Sequence, residues 1–119
     1  MPTSGARLVL FDIDGTLLDL HGAGRLAIAK SLEHCFGWKT DLKSIRLAGA
    51  TDHDLLHKIS RAHGHTPTPA DERAFFERMP RELEAAMNVA RLVLHPGVKP
   101  LLEKLSADSR CLLGLVTGN

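Results

Sequence analysis

The sequence predicts an α/β fold, a parallel core with two recognisable strands joined by a crossover helix and interrupted by a long helical insertion. Three observations carry this. Arg7-Leu8-Val9-Leu10-Phe11 and the segment from Arg110 to Val116 are short apolar runs without alternation, the pattern of strands buried on both faces of a parallel sheet. Each run stops abruptly in polar residues, Asp12-Ile13-Asp14-Gly15-Thr16 after the first and Thr117-Gly118-Asn119 after the second. Between the runs, apolar residues recur at helical spacing. A strand–helix–strand crossover is right-handed and leaves its strands parallel and close together.

The insertion follows in order. From Ala23 to Phe36, residues Ile28, Leu32, Cys35 and Phe36 fall at helical spacing, and Gly37 stops the helix. Thr51-Asp52-His53-Asp54 has the form of a capping box, with Leu55, Leu56, Ile59 and Ala62 on one face up to Gly64. Thr68-Pro69-Ala70-Asp71 is a second start signal, with Pro69 at the first helical position. Phe75, Phe76 and Met79 form one stripe; Leu83, Ala86, Met87 and Ala90 form the next. Pro80 lies between them and is expected to kink or split the segment, because it removes a hydrogen bond and its ring clashes with the preceding turn. His95-Pro96-Gly97 reads as a linker, and Val98, Leu101, Leu102 and Leu105 mark a crossover helix over 98–106. The division is then a core of residues 1–19 and 94–119 around a helical insertion of residues 20–93.

Composition narrows the function classes. With 15 Lys+Arg against 14 Asp+Glu the net charge is +1, which offers no basic field to hold nucleic acid. No apolar run approaches the length of a membrane span, so no membrane partner is expected. The first seven residues lack the apolar segment of a signal peptide, which points to a cytoplasmic location. In that compartment Cys35 and Cys111 read as reduced core residues and not as a disulfide.

The chemistry gathers at the strand ends. In open parallel sheets, ligands bind outside the carboxyl ends of the strands. Asp12 and Asp14 follow the first strand, and Thr117 and Asn119 follow the second. Residues two apart in an extended chain point the same way, so Asp12 and Asp14 are expected to face one crevice. Gly15 lets the backbone turn away there without a Cβ clash. Two such carboxylates repel unless they share a cation or a proton. Oxygen ligands of this kind suit Mg²⁺ together with substrate phosphate oxygens. One Asp would attack phosphorus and the other would handle the leaving-group proton. The Thr117 hydroxyl and the neighbouring backbone N–H groups of Gly118 and Asn119 would hold the phosphoryl oxygens. Asp-x-Asp-Gly by itself is equally a solvated turn. The preceding strand, the following Thr16-Leu17-Leu18 and the distant Val116-Thr117-Gly118-Asn119 favour the chemical reading.

At these residues the sequence matches a known family. Phe11-Asp12-Ile13-Asp14-Gly15-Thr16-Leu17 resembles the first motif of the haloacid dehalogenase-like (HAD) hydrolases, and Leu115-Val116-Thr117-Gly118-Asn119 resembles their second. The insertion is similar to the family's type 1 helical cap, and Leu94-His95-Pro96-Gly97-Val98 is similar to the return to the core. Ala48-Gly49-Ala50-Thr51-Asp52 is similar to the cap segment of phosphoglycolate phosphatase-like members. The resemblance implies a partial Rossmannoid parallel core. It also implies Asp12 as nucleophile and Mg²⁺ ligand, and Asp14 as general acid/base with a carbonyl on the metal. Thr117 would orient the phosphate. Family dehalogenases and phosphonatases lack the second Asp, so Asp14 favours a phosphatase acting on a small phosphorylated metabolite. A phosphomutase such as β-phosphoglucomutase keeps both Asp residues and is the enzyme alternative. A non-catalytic module that binds phosphate or a partner is the alternative of another class.

Two further family motifs, a lysine and an acidic set completing the metal site, have no counterpart among these residues. Lys99 and Lys104 fall on the crossover helix, away from the strand ends. The residues are therefore expected to form the N-terminal portion of a longer core and to be inactive as they stand. Two strands would also leave an apolar sheet edge exposed for self-association. In the cap, Arg25, Arg46 and Thr51 are the candidates to reach a substrate, though each suits an ordinary solvated position. Of the seven histidines, His53 and His57 are four apart on one helix face, and no zinc motif such as H-E-x-x-H is present. They read as surface or helix-end residues. Phe75, Phe76 and Met79 read as cap core, and Trp38 as a loop residue able to pack against the cap, with no functional role assigned.

Overall fold

The structure, a computed structural model, describes residues 5–43, 46, 50–89 and 92–118. In chain order its elements are β1 (Arg7–Phe11), β2 (Leu18–Asp19), α1 (Ala23–Phe36), α2 (Asp52–Ala62), α3 (Pro69–Val89), β3 (Val93–Leu94), α4 (Val98–Ala107) and β4 (Cys111–Leu115). They fall into two compact units, Met1–His21 with Leu92–Thr117, and Gly22–Arg91 with Gly118–Asn119.

In the first unit, β1 and β4 are parallel neighbours in the register Arg7↔Cys111 through Phe11↔Leu115. Val116 N–H donates to the Phe11 carbonyl at 2.9 Å and extends the ladder past its last pair. Gly114 is the tight point between the strands, since a Cβ there would meet Leu10 Cδ2 at 3.0 Å. Helix α4 starts after Gly97, which takes the left-handed conformation (φ 83°) that glycine adopts without strain. It packs against β4. The α/β class is as the sequence predicts; the burial of the strands is not. Leu8 is 66% exposed, Leu10 52%, Leu112 59% and Leu115 61%. One helix against two strands leaves most of both sheet faces uncovered among the described residues, although the runs themselves are those of doubly buried strands.

A second, smaller sheet went unread in the sequence. β2 and β3 pair antiparallel, Leu18 with Leu94 and Asp19 with Val93. Two-residue strands are too short to show a periodicity.

The second unit holds most of the buried core. Ile28, Leu32, Leu42, Leu55, Leu56, Ile59 and Phe75 form one cluster, with Phe36, Trp38 and Met79 packed against it. Ala23, Ala27 and Ser31 recur every four residues on α1 and are buried. Small residues at that spacing let another helix approach closely, and α3 lies along α1. Trp38 is a packing residue in the same unit: its ring stacks on Phe36 at 4.5 Å and on His63 at 4.5 Å.

Helix starts follow the sequence signals. The Thr51 hydroxyl accepts the Asp54 N–H at 3.1 Å. At the next start the exchange is reciprocal: Thr68 Oγ1 accepts from Asp71 N–H, and Asp71 Oδ2 accepts from Thr68 N–H. Pro80 does not split its segment, which is one helix of 21 residues. Phe75 before the proline and Ala86 after it are both buried, so packing on each side offsets the hydrogen bond lost at Pro80. Cys35 and Cys111 are free and half-buried. Burial pushes the Cys35 thiol pKa up. No helix among the described residues is long and apolar enough to cross a membrane.

Candidate active site

The register of β1 and β4 brings candidate residues to one sheet edge. Because Phe11 pairs with Leu115, Asp12 and Thr117 leave adjacent strands at the same carboxyl edge, with the strands about 4.8 Å apart. Asp12 is exposed, and its Oδ1 accepts the Ile13 N–H at 2.8 Å. The chain then turns. The Ile13 carbonyl accepts from the N–H groups of Thr16, Leu17 and Leu18 at 3.2, 2.9 and 3.2 Å. Gly15 has φ 79° and donates to the Leu18 carbonyl at 2.9 Å. Asp14, also exposed, pairs with Leu18 in an isolated bridge inside this turn.

This corrects the reason for grouping the two carboxylates. Strand alternation does not run from Asp12 to Asp14, because a turn begins at Ile13. Both carboxylates instead lie on a compact loop closed by backbone hydrogen bonds. Thr117 is half-buried and belongs to the same unit.

The donor set is one of hard oxygens: two exposed carboxylates and the backbone carbonyls of a tight loop. That chemistry fits Mg²⁺, which takes one or two carboxylates and fills its octahedron with water and phosphate oxygens. Asp12 and Asp14 are the residues that would hold it, and the ion would supply positive charge against the phosphoryl oxygens.

The remaining candidates fall elsewhere. Gly118 belongs to the second unit, where its carbonyl accepts the Asp52 N–H at 3.2 Å. A Cβ on Gly118 would stand 2.7 Å from the Ala50 carbonyl oxygen, so glycine is required there by close backbone approach. Asp52, at the start of α2, has its pKa raised by burial. Thr51 is the helix cap already described. Arg25, half-buried on α1, donates from Nη1 to the Leu42 carbonyl, a contact that closes the second unit. Arg46 is exposed. Asn119, and Ala48 and Gly49 of the cap segment, lie outside the described residues.

The histidines hold a grouping that the sequence reading passed over. His53 and His57 on α2 converge with Glu72 on α3, one donor atom of each lying within 4.8 Å of the others. The sequence signal was present as histidines one turn apart followed by an acidic first turn on the next helix, but the partner lies 15 residues beyond His57.

A parallel α/β core carrying paired aspartates at its carboxyl edge, with a helical unit inserted after the first strand, defines a class of hydrolase. The haloacid dehalogenase-like hydrolase family matches residues 6–119, and the chain belongs to that family. No curated protein matches the sequence. Among solved structures, a predicted phosphoglycolate phosphatase from Haemophilus somnus 129PT is similar at 22% identity with a TM-score of 0.59. The match covers 96% of this chain and 52% of that one, so the chain spans about half the length of the structure it resembles.

Proposed function

We propose that these residues supply the nucleophile and the acid–base group of a Mg²⁺-dependent phosphatase acting on a small phosphate monoester, phosphoglycolate-like in kind. The observation that carries the reading is the shared carboxyl edge of β1 and β4, from which Asp12, Asp14 and Thr117 emerge together. Family membership supports a hydrolase, and the second aspartate supports phosphate esters as its substrates.

In this reading an Asp12 carboxylate oxygen attacks phosphorus, and the bond to the leaving alkoxide breaks. Asp14, as the carboxylic acid, gives its proton to that oxygen. An aspartyl-phosphate remains on Asp12. Asp14, now a carboxylate, takes a proton from water as the water attacks phosphorus; inorganic phosphate leaves and Asp12 is regenerated. The Thr117 hydroxyl donates to a phosphoryl oxygen. Arg25, Arg46 and Thr51 are proposed cap contacts, secondary to the packing roles described for Arg25 and Thr51.

No lysine among these residues is assigned the charge-neutralising role that the family resemblance implies. Turnover is accordingly proposed for the whole protein that carries them and not for the 119 residues alone. The test is phosphate release from small phosphate esters by that protein, with and without Mg²⁺, alongside Asp12→Asn. Expected is Mg²⁺-dependent release that falls by at least about a thousandfold in the variant, the order of loss when a nucleophile is removed. A variant keeping most of its activity overturns the assignment. Phosphate moved between positions of one sugar without release identifies a mutase instead.

A further inference from the structure

We propose that His53, His57 and Glu72 form a transition-metal site, suited to Zn²⁺, that ties the first turn of α3 to α2. His53 and His57 sit one helical turn apart with ring centroids at 4.4 Å. Glu72 enters from the neighbouring helix, its Oε1 lying 3.2 Å from His53 Nε2 and 2.6 Å from His57 Nε2. A tetrahedral zinc ion with bonds of about 2.0–2.1 Å spaces its donors about 3.3 Å apart. The His53–Glu72 distance already meets that spacing. The His57–Glu72 distance has to open by about 0.7 Å, which a small torsion of the Glu72 side chain supplies.

Both imidazole Nε2 atoms approach the same carboxylate oxygen, Glu72 Oε1, so a single ion placed among them meets three donor atoms.

Two nitrogens and one carboxylate leave a fourth position for water or a ligand atom, the open form of a zinc site. Imidazole donors select zinc, cobalt, nickel or copper over magnesium. This grouping is therefore chemically distinct from the Asp12–Asp14 pair, and its existence does not depend on the phosphatase reading.

The experiment titrates the full chain with Zn²⁺ while following the histidine ring resonances, and with Co²⁺ while following visible absorption. Expected is saturation at one equivalent with the His53 and His57 resonances moving together, a rise in melting temperature, and no displacement by excess Mg²⁺. His53→Gln alters a ring more than half exposed and is expected to weaken binding at least tenfold, as is Glu72→Gln. The proposal is overturned if no saturable binding occurs, if only His21, His34, His63, His65 or His95 respond, or if both variants bind as the parent does. The resonance shifts decide the matter in the unaltered chain should either variant fail to fold.

Discussion

Thr51 shows at the residue scale how a candidate substrate contact also serves the helix cap that its sequence signals. Its hydroxyl satisfies one of the free N–H groups at the start of α2. Thr51→Ala is expected to cost about 1 kcal/mol of stability, and Thr51→Ser to recover most of it, measured by thermal melting. A melting temperature unchanged in both variants, with only KM affected, would return the residue to a substrate role. Asp12 and Asp14 were legible because an apolar strand breaking into Asp-x-Asp-Gly is a compact signal. The turn itself was legible through Gly15, but its closure was not, since three N–H groups converging on the Ile13 carbonyl leave no trace in residue type. Gly118 was legible as part of a motif, whereas its close approach to Ala50 depends on a long-range backbone contact.

At the scale of elements, the helices followed their caps and spacing. α1 ends where Gly37 takes φ 72° and its N–H returns to Glu33, the left-handed cap that glycine favours. Of the two outcomes expected at Pro80, the split does not occur, because a local rule about one lost hydrogen bond met burial on both sides of it. The start of α3 carries a pH dependence with a definite sign. Asp71 is held below its usual 3.8 by the Thr68 backbone N–H, and then by His65 and the Thr68 hydroxyl. Glu72 is held below 4.5, chiefly by the hydrogen bond from His57. For acids depressed on folding, the unfolded chain binds more protons, so the stabilisation is full above the unfolded pKa and is lost as pH falls through the folded one. Helical content is therefore expected to become less resistant to denaturant below about pH 4.5, and Asp71→Asn with Glu72→Gln to flatten that dependence. A parent chain whose stability is flat through this range would contradict the assigned contacts.

At the scale of the whole molecule, burial is divided unequally between the two units. Phe75, Leu32, Leu56 and Ile59 are almost fully enclosed in the helical one, while β1 and β4 present leucines to solvent. Sequence composition is blind to this division, because it counts apolar residues without saying what covers them. Exposed apolar strands with unpaired edges associate, and the 119-residue chain is expected to assemble in a concentration-dependent way by sedimentation. Leu112→Lys, at a position 59% exposed, is expected to shift it toward monomer. A chain that stays monomeric at every concentration would remove that expectation.

The central claim is that Asp12 is the group that becomes phosphorylated. The whole protein would be quenched in acid during turnover of a phosphate ester and treated with borohydride, which reduces an acyl phosphate to the alcohol. Peptides covering residues 7–19 would then be read by mass spectrometry. The account predicts substrate-dependent conversion of Asp12, and of no other residue, to homoserine. Turnover without any conversion, or conversion at Asp14 in its place, would contradict it.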